Sequence, residues 1–120
     1  MDTMPKLMDH NKYVETLCCQ VEAGRLDATS ELCAAWHCHA RADLDIVYPS
    51  LPVSNLEALA MQMRALTDHR LIERLVGQIE RTSAPRESYA ASSGLLVRLI
   101  RQHVVAEELS VFPVLLFHEA

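Results

Sequence analysis

An imidazole and a carboxylate four residues apart recur along this chain, and on a helix that step aims a ring nitrogen and a carboxylate oxygen at one point. The stretches His39-Ala-Arg-Ala-Asp43-Leu-Asp-Ile-Val-Tyr48-Pro49 and His103-Val-Val-Ala-Glu107-Glu-Leu-Ser-Val-Phe112-Pro113 share the step. Both also carry an aromatic-proline pair nine and ten residues after the histidine. His69 and Glu73 repeat the spacing, and His10 takes the matching place on the remaining helical segment. Neutral imidazole and ionised carboxylate are the ligands that iron, manganese and zinc accept, so helices presenting these pairs to one another form a metal site. The candidate ligands are His10, His39, Asp43, His69, Glu73, His103 and Glu107.

All seven fall within apolar stripes. Four imidazoles and three carboxylates in one layer of a core would be left unsatisfied or mutually repulsive unless a cation is shared between them. Each histidine taken alone also fits a hydrogen-bonded core or boundary residue. Chance likeness among amphipathic helices accounts for matching Leu and Val positions, but it does not place His, acid and aromatic-Pro in step. An echo between halves, Asp9-His10 in the first and Asp68-His69 in the second, reads as two helical hairpins of one design.

Other polar groups serve as contrasts. His37 stands two residues from His39, about 200° around a helix, and faces away; His118, in the C-terminal segment, is expected to face solvent. Asp45 and Glu108 adjoin the acids of the two stretches and point elsewhere, with Glu108 able to substitute for Glu107 if the helix is locally irregular. Trp36, one turn before His39, is a core anchor or a pocket wall. Met61 and Met63 read as core filler, and Tyr13, Tyr48 and Tyr89 have no assigned role.

These residues must be positioned by helices. Half of the 120 residues are apolar, while Gly numbers 3 and Pro 5, a composition suited to long helices within one domain spanning residues 1–120. Gly24 stops a helix from about Pro5 to Ala23, and a second runs from between Asp27 and Ser30 to Tyr48. Ser54 with Glu57 forms a capping box for a third helix reaching about Arg81, and Pro85 suits the first turn of a fourth, from about Ala84 to His118. Pro113 should kink or end that last helix. Short connections between long helices force neighbours to run antiparallel, which gives an all-α, up-down-up-down four-helix bundle. The inner faces are read as Leu7, His10, Val14, Leu17 and Val21, then Leu32, Trp36, His39, Asp43 and Val47. The third helix offers Leu59, Met63, Leu66, His69, Glu73 and Val76, and the fourth Leu96, Leu99, His103, Glu107 and Val111.

A formal charge of −5, with 11 scattered Lys and Arg, argues against a nucleic-acid partner. The N-terminal residues lack a secretory pattern, and no stretch approaches the ~18 uninterrupted apolar residues of a membrane span. The expectation is a soluble cytoplasmic protein without membrane partners. Its cysteines, Cys18, Cys19, Cys33 and Cys38, are then reduced and pack as small hydrophobes. Cys33 and His37 share a helix face but lack the paired short spacings of a zinc module.

Taken together, the Asp-His opening, His with an acid four later and Tyr-Pro, the second Asp-His, and His with Glu-Glu and Phe-Pro resemble the hemerythrin-like, or HHE cation-binding, family. The resemblance spans essentially the whole chain. It implies two iron ions bridged by two carboxylates and an oxygen atom, with Asp43 and Glu107 as the bridges. His69, His103 and Glu73 would hold one iron, and His10 and His39 the other. The second iron, with fewer ligands, would keep an open position for dioxygen, peroxide or nitric oxide. Manganese or zinc suits the same groups. Oxygen-carrying members are similar except for a histidine where this chain has Glu73; the added negative charge would favour ferric iron and make reversible oxygen carriage less secure. Asp43, shorter than Glu by a methylene, would bridge asymmetrically or bind one metal. The leading function is binding or sensing of dioxygen or a related oxidant. The alternatives are a di-iron oxidase, peroxidase or nitric-oxide-reactive enzyme, an iron donor for repair of damaged centres, and a helical interaction module. No Glu stands three residues before a histidine, which disfavours ferritin-like chemistry. A sensor would act through an unidentified protein partner.

Overall fold

Helix ends follow local chemistry closely. Helix α1 (Thr3–Glu22) stops at Gly24, whose φ of 94° is a left-handed conformation that L side chains resist. There the Gly24 N–H bonds the Val21 carbonyl and the Arg25 N–H bonds the Gln20 carbonyl, satisfying two end carbonyls in a Schellman closure. Helix α2 (Ala28–Ala42) follows, and its last turn passes into a π turn, Asp43–Val47, and a 3-10 turn, Tyr48–Ser50. Leu51 is extended, with ψ 142°, the conformation that the following Pro52 imposes.

Helix α3 (Leu56–Arg81) is capped by Asn55, whose side-chain oxygen accepts the Ala58 N–H at 3.1 Å. The cap therefore lies one residue beyond the expected Ser54. Helix α4 (Arg86–Ala106) begins directly after Pro85, which sits just outside the helix, and leads into a second π turn, Glu107–Val111. Helix α5 (Phe112–Glu119) carries the chain onward, so Pro113 lies at the start of a renewed helix and the break comes just before it.

The computed structural model describes residues 3–52, 54–81 and 83–119, without the side chains of His118 and Glu119, so the expectation for His118 lies outside the described residues. All regular elements among these are helical, forming a four-helix bundle 48 Å long and 24 by 19 Å across. Packing runs in a ring, α1 on α2, α2 on α3, α3 on α4 and α4 on α1. Arg101 fastens the last pair by bonding Glu15 at 2.8 Å and Glu22 at 2.7 Å on α1. None of these helices is long and apolar enough to cross a membrane.

Two apolar clusters fill the interior. One is built around Leu17, Leu32, Trp36, Ile72, Leu96 and Ile100, the other around Met4, Val47, Tyr48, Ala65, Phe112 and Leu115. A polar layer separates them: His39, Asp43, His69, His103 and Glu107 are all buried.

The inner faces of α1, α2 and α4 match expectation, with Leu7, His10 and Leu99 half-buried. On α3 the face is rotated. Ala58, Ala65, His69, Ile72, Leu75 and Val76 are buried, whereas Leu59, Met63 and Glu73 are exposed. Ile72, three residues after His69, takes the inward place that a four-residue step assigned to Glu73; at about 100° per residue the two lie on opposite flanks of His69. The cysteines divide as well. Burial pushes the Cys18 and Cys33 thiols up to about 12 and about 11, while Cys19 and Cys38 are exposed instead of packed, and all four are free.

Candidate metal centre

The two π turns set the geometry of the polar layer. Proline has no N–H, so Pro49 and Pro113 leave the carbonyls four residues before them without a helical donor, and their rings crowd those carbonyls. A π turn accommodates this in both places: the Tyr48 N–H bonds the Asp43 carbonyl and the Phe112 N–H bonds the Glu107 carbonyl, each five residues back. In an α-helix a five-residue step turns about 500° and would carry the aromatic well away from the acid. The wider turn returns Tyr48 to the face of Asp43.

Asp43 Oδ2 is the hub. His69 Nε2 lies 2.8 Å from it, His39 Nε2 3.2 Å and His103 Nε2 3.2 Å. Glu107 answers from the opposite helix, with Oε1 2.9 Å from His39 Nε2 and Oε2 3.3 Å from His103 Nε2. Both carboxylates thus lie between the same two imidazoles. His39, Asp43, His103 and Glu107 offer donor atoms all within 4.8 Å of one another, and the group could hold a metal ion.

Tyr48, which had no assigned role, enters this group. Its hydroxyl lies 2.9 Å from Glu107 Oε2, 3.1 Å from Asp43 Oδ2 and 3.0 Å from His69 Nε2. One hydroxyl proton cannot serve two carboxylates at once, so the phenol oxygen is held at the centre by competing acceptors. Burial and the charges of Asp43 and Glu107 push its pKa far above the usual phenol range, so the hydroxyl keeps its proton. The aromatic-proline signature contained the signal, since an aromatic five residues after an acid and just before proline is where a π turn brings it inward.

Asp68 is the second residue that the spacing did not reveal as functional. Its Oδ2 lies 3.3 Å from His103 Nδ1 and accepts that N–H, which leaves Nε2 directed at the two acids. A carboxylate behind a histidine is the usual arrangement for fixing a metal-binding imidazole.

His10 is half-buried and its ring stacks on His39, with centroids 5.8 Å apart. Its Nε2 is buried without a hydrogen-bond partner. Burial, then repulsion from His39, lowers its proton affinity. A buried ring nitrogen without a partner is able to ligate a metal ion; Nδ1 of His69 and Nε1 of Trp36 are buried without partners as well. Glu73 is not brought to the layer in this structure: it is exposed and makes no side-chain hydrogen bond or ion pair among the described residues.

Protons balance the charges where ions are absent. Burial pulls the imidazole of His39 down, but hydrogen bonds to Asp43 and Glu107 outweigh this and hold it at about 9; His103 is held at about 10 in the same way. Burial opposes ionisation of Asp43 too, and hydrogen bonds from His103, His39 and His69 win, holding it well below the usual carboxylate range. The layer thus contains paired imidazolium and carboxylate.

Trp36 is fully buried beneath the layer and packs on the rings of His39, His69 and His103, with centroids 5.5, 4.9 and 5.4 Å away. It is the core anchor of the two readings. His37 faces outward and pairs with Glu80 at 3.2 Å, Asp45 pairs with Arg41 at 3.6 Å, and Glu108 receives the Asn11 amide at 3.3 Å. The local irregularity around Glu107 therefore leaves Glu107, and not Glu108, in the layer.

No family model matches the chain, and no curated protein or solved structure is found to match it, so the likeness to hemerythrin-like proteins stands on the residue pattern alone.

Proposed function

We propose that the layer binds a pair of iron ions within an up-down-up-down bundle of hemerythrin-like design and presents them to dioxygen or a related small oxidant. The observation that carries this reading is that Asp43 and Glu107, from two different helical segments, each touch both His39 and His103. Carboxylates held between opposed imidazoles would serve as ligands shared by the two ions. His10 and His39 would serve one ion, and His69 and His103 the other. Bound iron would supply the electrons for reaction with dioxygen, peroxide or nitric oxide. The same mixed nitrogen and oxygen donors accept manganese or zinc.

The protein's own groups do the rest. Trp36 and the apolar clusters on either side limit water at the layer, which strengthens each charge interaction within it. Asp68 holds the His103 ring in place. Tyr48 supports a second reading, an enzyme turning over peroxide or nitric oxide, because its hydroxyl lies within hydrogen-bond distance of both carboxylates and can donate a hydrogen bond at that point. The four free thiols suit a reducing compartment such as the cytoplasm.

Metal analysis after anaerobic reconstitution with ferrous iron tests the proposal. Two equivalents per chain are expected, with near-complete loss in Asp43→Ala, which removes the contact shared by three imidazoles. Absence of bound metal, or an Asp43→Ala protein with two equivalents, would refute it. A reversible charge-transfer band under dioxygen separates binding or sensing from turnover, in which peroxide is consumed.

A further inference from the structure

The contacts of Tyr48 outnumber the protons available to them. Its hydroxyl oxygen lies 3.1 Å from Asp43 Oδ2, 2.9 Å from Glu107 Oε2 and 3.0 Å from His69 Nε2, and that nitrogen is itself 2.8 Å from Asp43 Oδ2. With both carboxylates ionised, the O–H and the Nε2–H supply two protons for these four contacts. The other two bring lone pairs together with no hydrogen between them. They do so inside the protein, where Tyr48 is 3% exposed and Asp43 and Glu107 are each 1% exposed, so solvent does not screen them. One cation among the four groups would relieve both contacts.

The spacing suits a single ion. Ligand bonds of roughly 2.1 Å set at right angles place neighbouring donor atoms about 3 Å apart. Tyr48 Oη, Asp43 Oδ2 and His69 Nε2 form a triangle with sides of 3.1, 3.0 and 2.8 Å. His103 Nε2 adjoins it, 3.2 Å from the same Asp43 oxygen. Hydrogen-bonded atoms share these lengths, and the shortage of protons is what separates the two cases. The phenol is also held in place from behind. Its ring is part of the apolar cluster with Met4, Val47, Ala65, Phe112 and Leu115, and its backbone N–H closes the π turn on Asp43.

We infer that Tyr48 is itself a ligand, a phenolate on the ion that His69 and His103 would hold, in the third terminal place that the resemblance gave to Glu73. The inference rests on the metal-binding reading above and adds to it a ligand and a preferred charge of the ion. As the bond forms, the O–H breaks, its proton is released to solvent and the oxygen keeps the electron pair that it shares with the ion, so no electron changes hands. Iron takes a tyrosine oxygen as ligand in haem proteins too. An anionic oxygen favours ferric over ferrous iron and trivalent over divalent ions by charge alone. Phe112, the matching aromatic of the other stretch, has no hydroxyl, so each chain supplies one phenolate. A phenolate has no proton to give, and Tyr48 is then not the hydrogen-bond donor of the second reading.

Resonance Raman spectroscopy of ferric protein, with iron content measured in the same sample, tests this. The wild type is expected to show a visible phenolate-to-iron charge-transfer band, and excitation within it should enhance tyrosine ring vibrations that shift in protein grown on ring-deuterated tyrosine. Tyr48→Phe, which keeps the packed ring and removes only the hydroxyl, should lose band and vibrations. It should also release ferric iron to a chelator faster, by at least the ~10-fold that loss of a mere supporting partner costs. Tyr13→Phe, whose ring lies beside His10 with centroids 6.4 Å apart, should keep the wild-type spectrum. The wild-type spectrum decides the matter even if Tyr48→Phe fails to fold. Iron-loaded wild type without tyrosine vibrations, or vibrations that persist in Tyr48→Phe at equal iron content, would overturn the inference and leave the metal site standing. Failure to load iron would instead remove the reading on which it rests.

Discussion

The two helical hairpins were read as copies of one design, and their backbones agree while their polar contacts do not. Both carry a histidine, an acid four later, a π turn and an aromatic-proline pair. In the second hairpin His69 touches Asp43 and Tyr48, and Asp68 holds His103 from behind. The corresponding His10 makes no side-chain hydrogen bond, its Nε2 being buried without a partner where His69 leaves only Nδ1 so, and Asp9 is exposed with no side-chain hydrogen bond among the described residues. The aromatics are exchanged in the opposite sense: Tyr48 brings a hydroxyl to the layer from the first hairpin, where Phe112 brings only a ring. The difference teaches that the side chains converge on Asp43 and Glu107 from the second hairpin and leave His10 without a polar contact of its own.

The largest expected effect lies where the hairpins agree. Each contributes one imidazole whose proton affinity is raised above the ordinary 6.5, His39 to about 9 and His103 to about 10. Their contribution to folding is fully present below about pH 6.5 and is lost as pH rises through 9 and 10. Asp43, held below its ordinary value, contributes above about pH 4 and loses that contribution as pH falls. The thermal midpoint of metal-free protein should therefore fall by about 5 °C or more between pH 6.5 and 10. Metal-loaded protein should change far less over this range, because ions replace the two imidazole protons. A metal-free midpoint that is level or rising from pH 7 to 10 would show that the layer is not held by imidazolium.

A smaller effect separates the hairpins. If the second is preassembled, ferrous iron should titrate in two steps, with affinities about tenfold or more apart. His10→Ala should then keep one equivalent, the tighter, whereas His69→Ala should lose the tighter and retain at most one weak equivalent. Equal behaviour of the two variants, or a single titration step in wild type, would erase the distinction.

How much of this was legible depends on what carries each feature. Gly24, Pro52 and Pro85 mark element boundaries through constraints confined to a few backbone atoms, so they can be read locally. His39, Asp43, His103 and Glu107 were legible because the four-residue step keeps side chains in phase on any helix. Glu73 obeys the same step and lies outside, since which flank of His69 faces inward is decided by the rotation of all α3, set by Ala58, Ala65, Ile72 and Val76 together. Tyr48 was missed for a different reason: its inward position exists only once the helix widens into a π turn. Asp68 was visible in the Asp-His echo, but its partner lies on another helix, 35 residues away.

The finest test of the asymmetry is this last residue against its counterpart. Asp68→Ala removes the acceptor behind His103 without touching Asp43 or Glu107, and loss of such a partner typically costs 10- to 100-fold in metal affinity. Asp9→Ala, which removes no recorded contact, should leave affinity unchanged. Asp68→Asn distinguishes orientation from charge: its amide oxygen can still accept the Nδ1 proton, so affinity should return toward wild type if orientation matters most. The Nδ1 nitrogen and proton chemical shifts of His103 report the same hydrogen bond without metal, since the protonated ring donates from Nδ1 to Asp68 and from Nε2 to the acids. Should Asp68→Ala and Asp9→Ala weaken metal binding alike, the effect would come from lost negative charge at long range, and the second hairpin would have no claim to being the better organised.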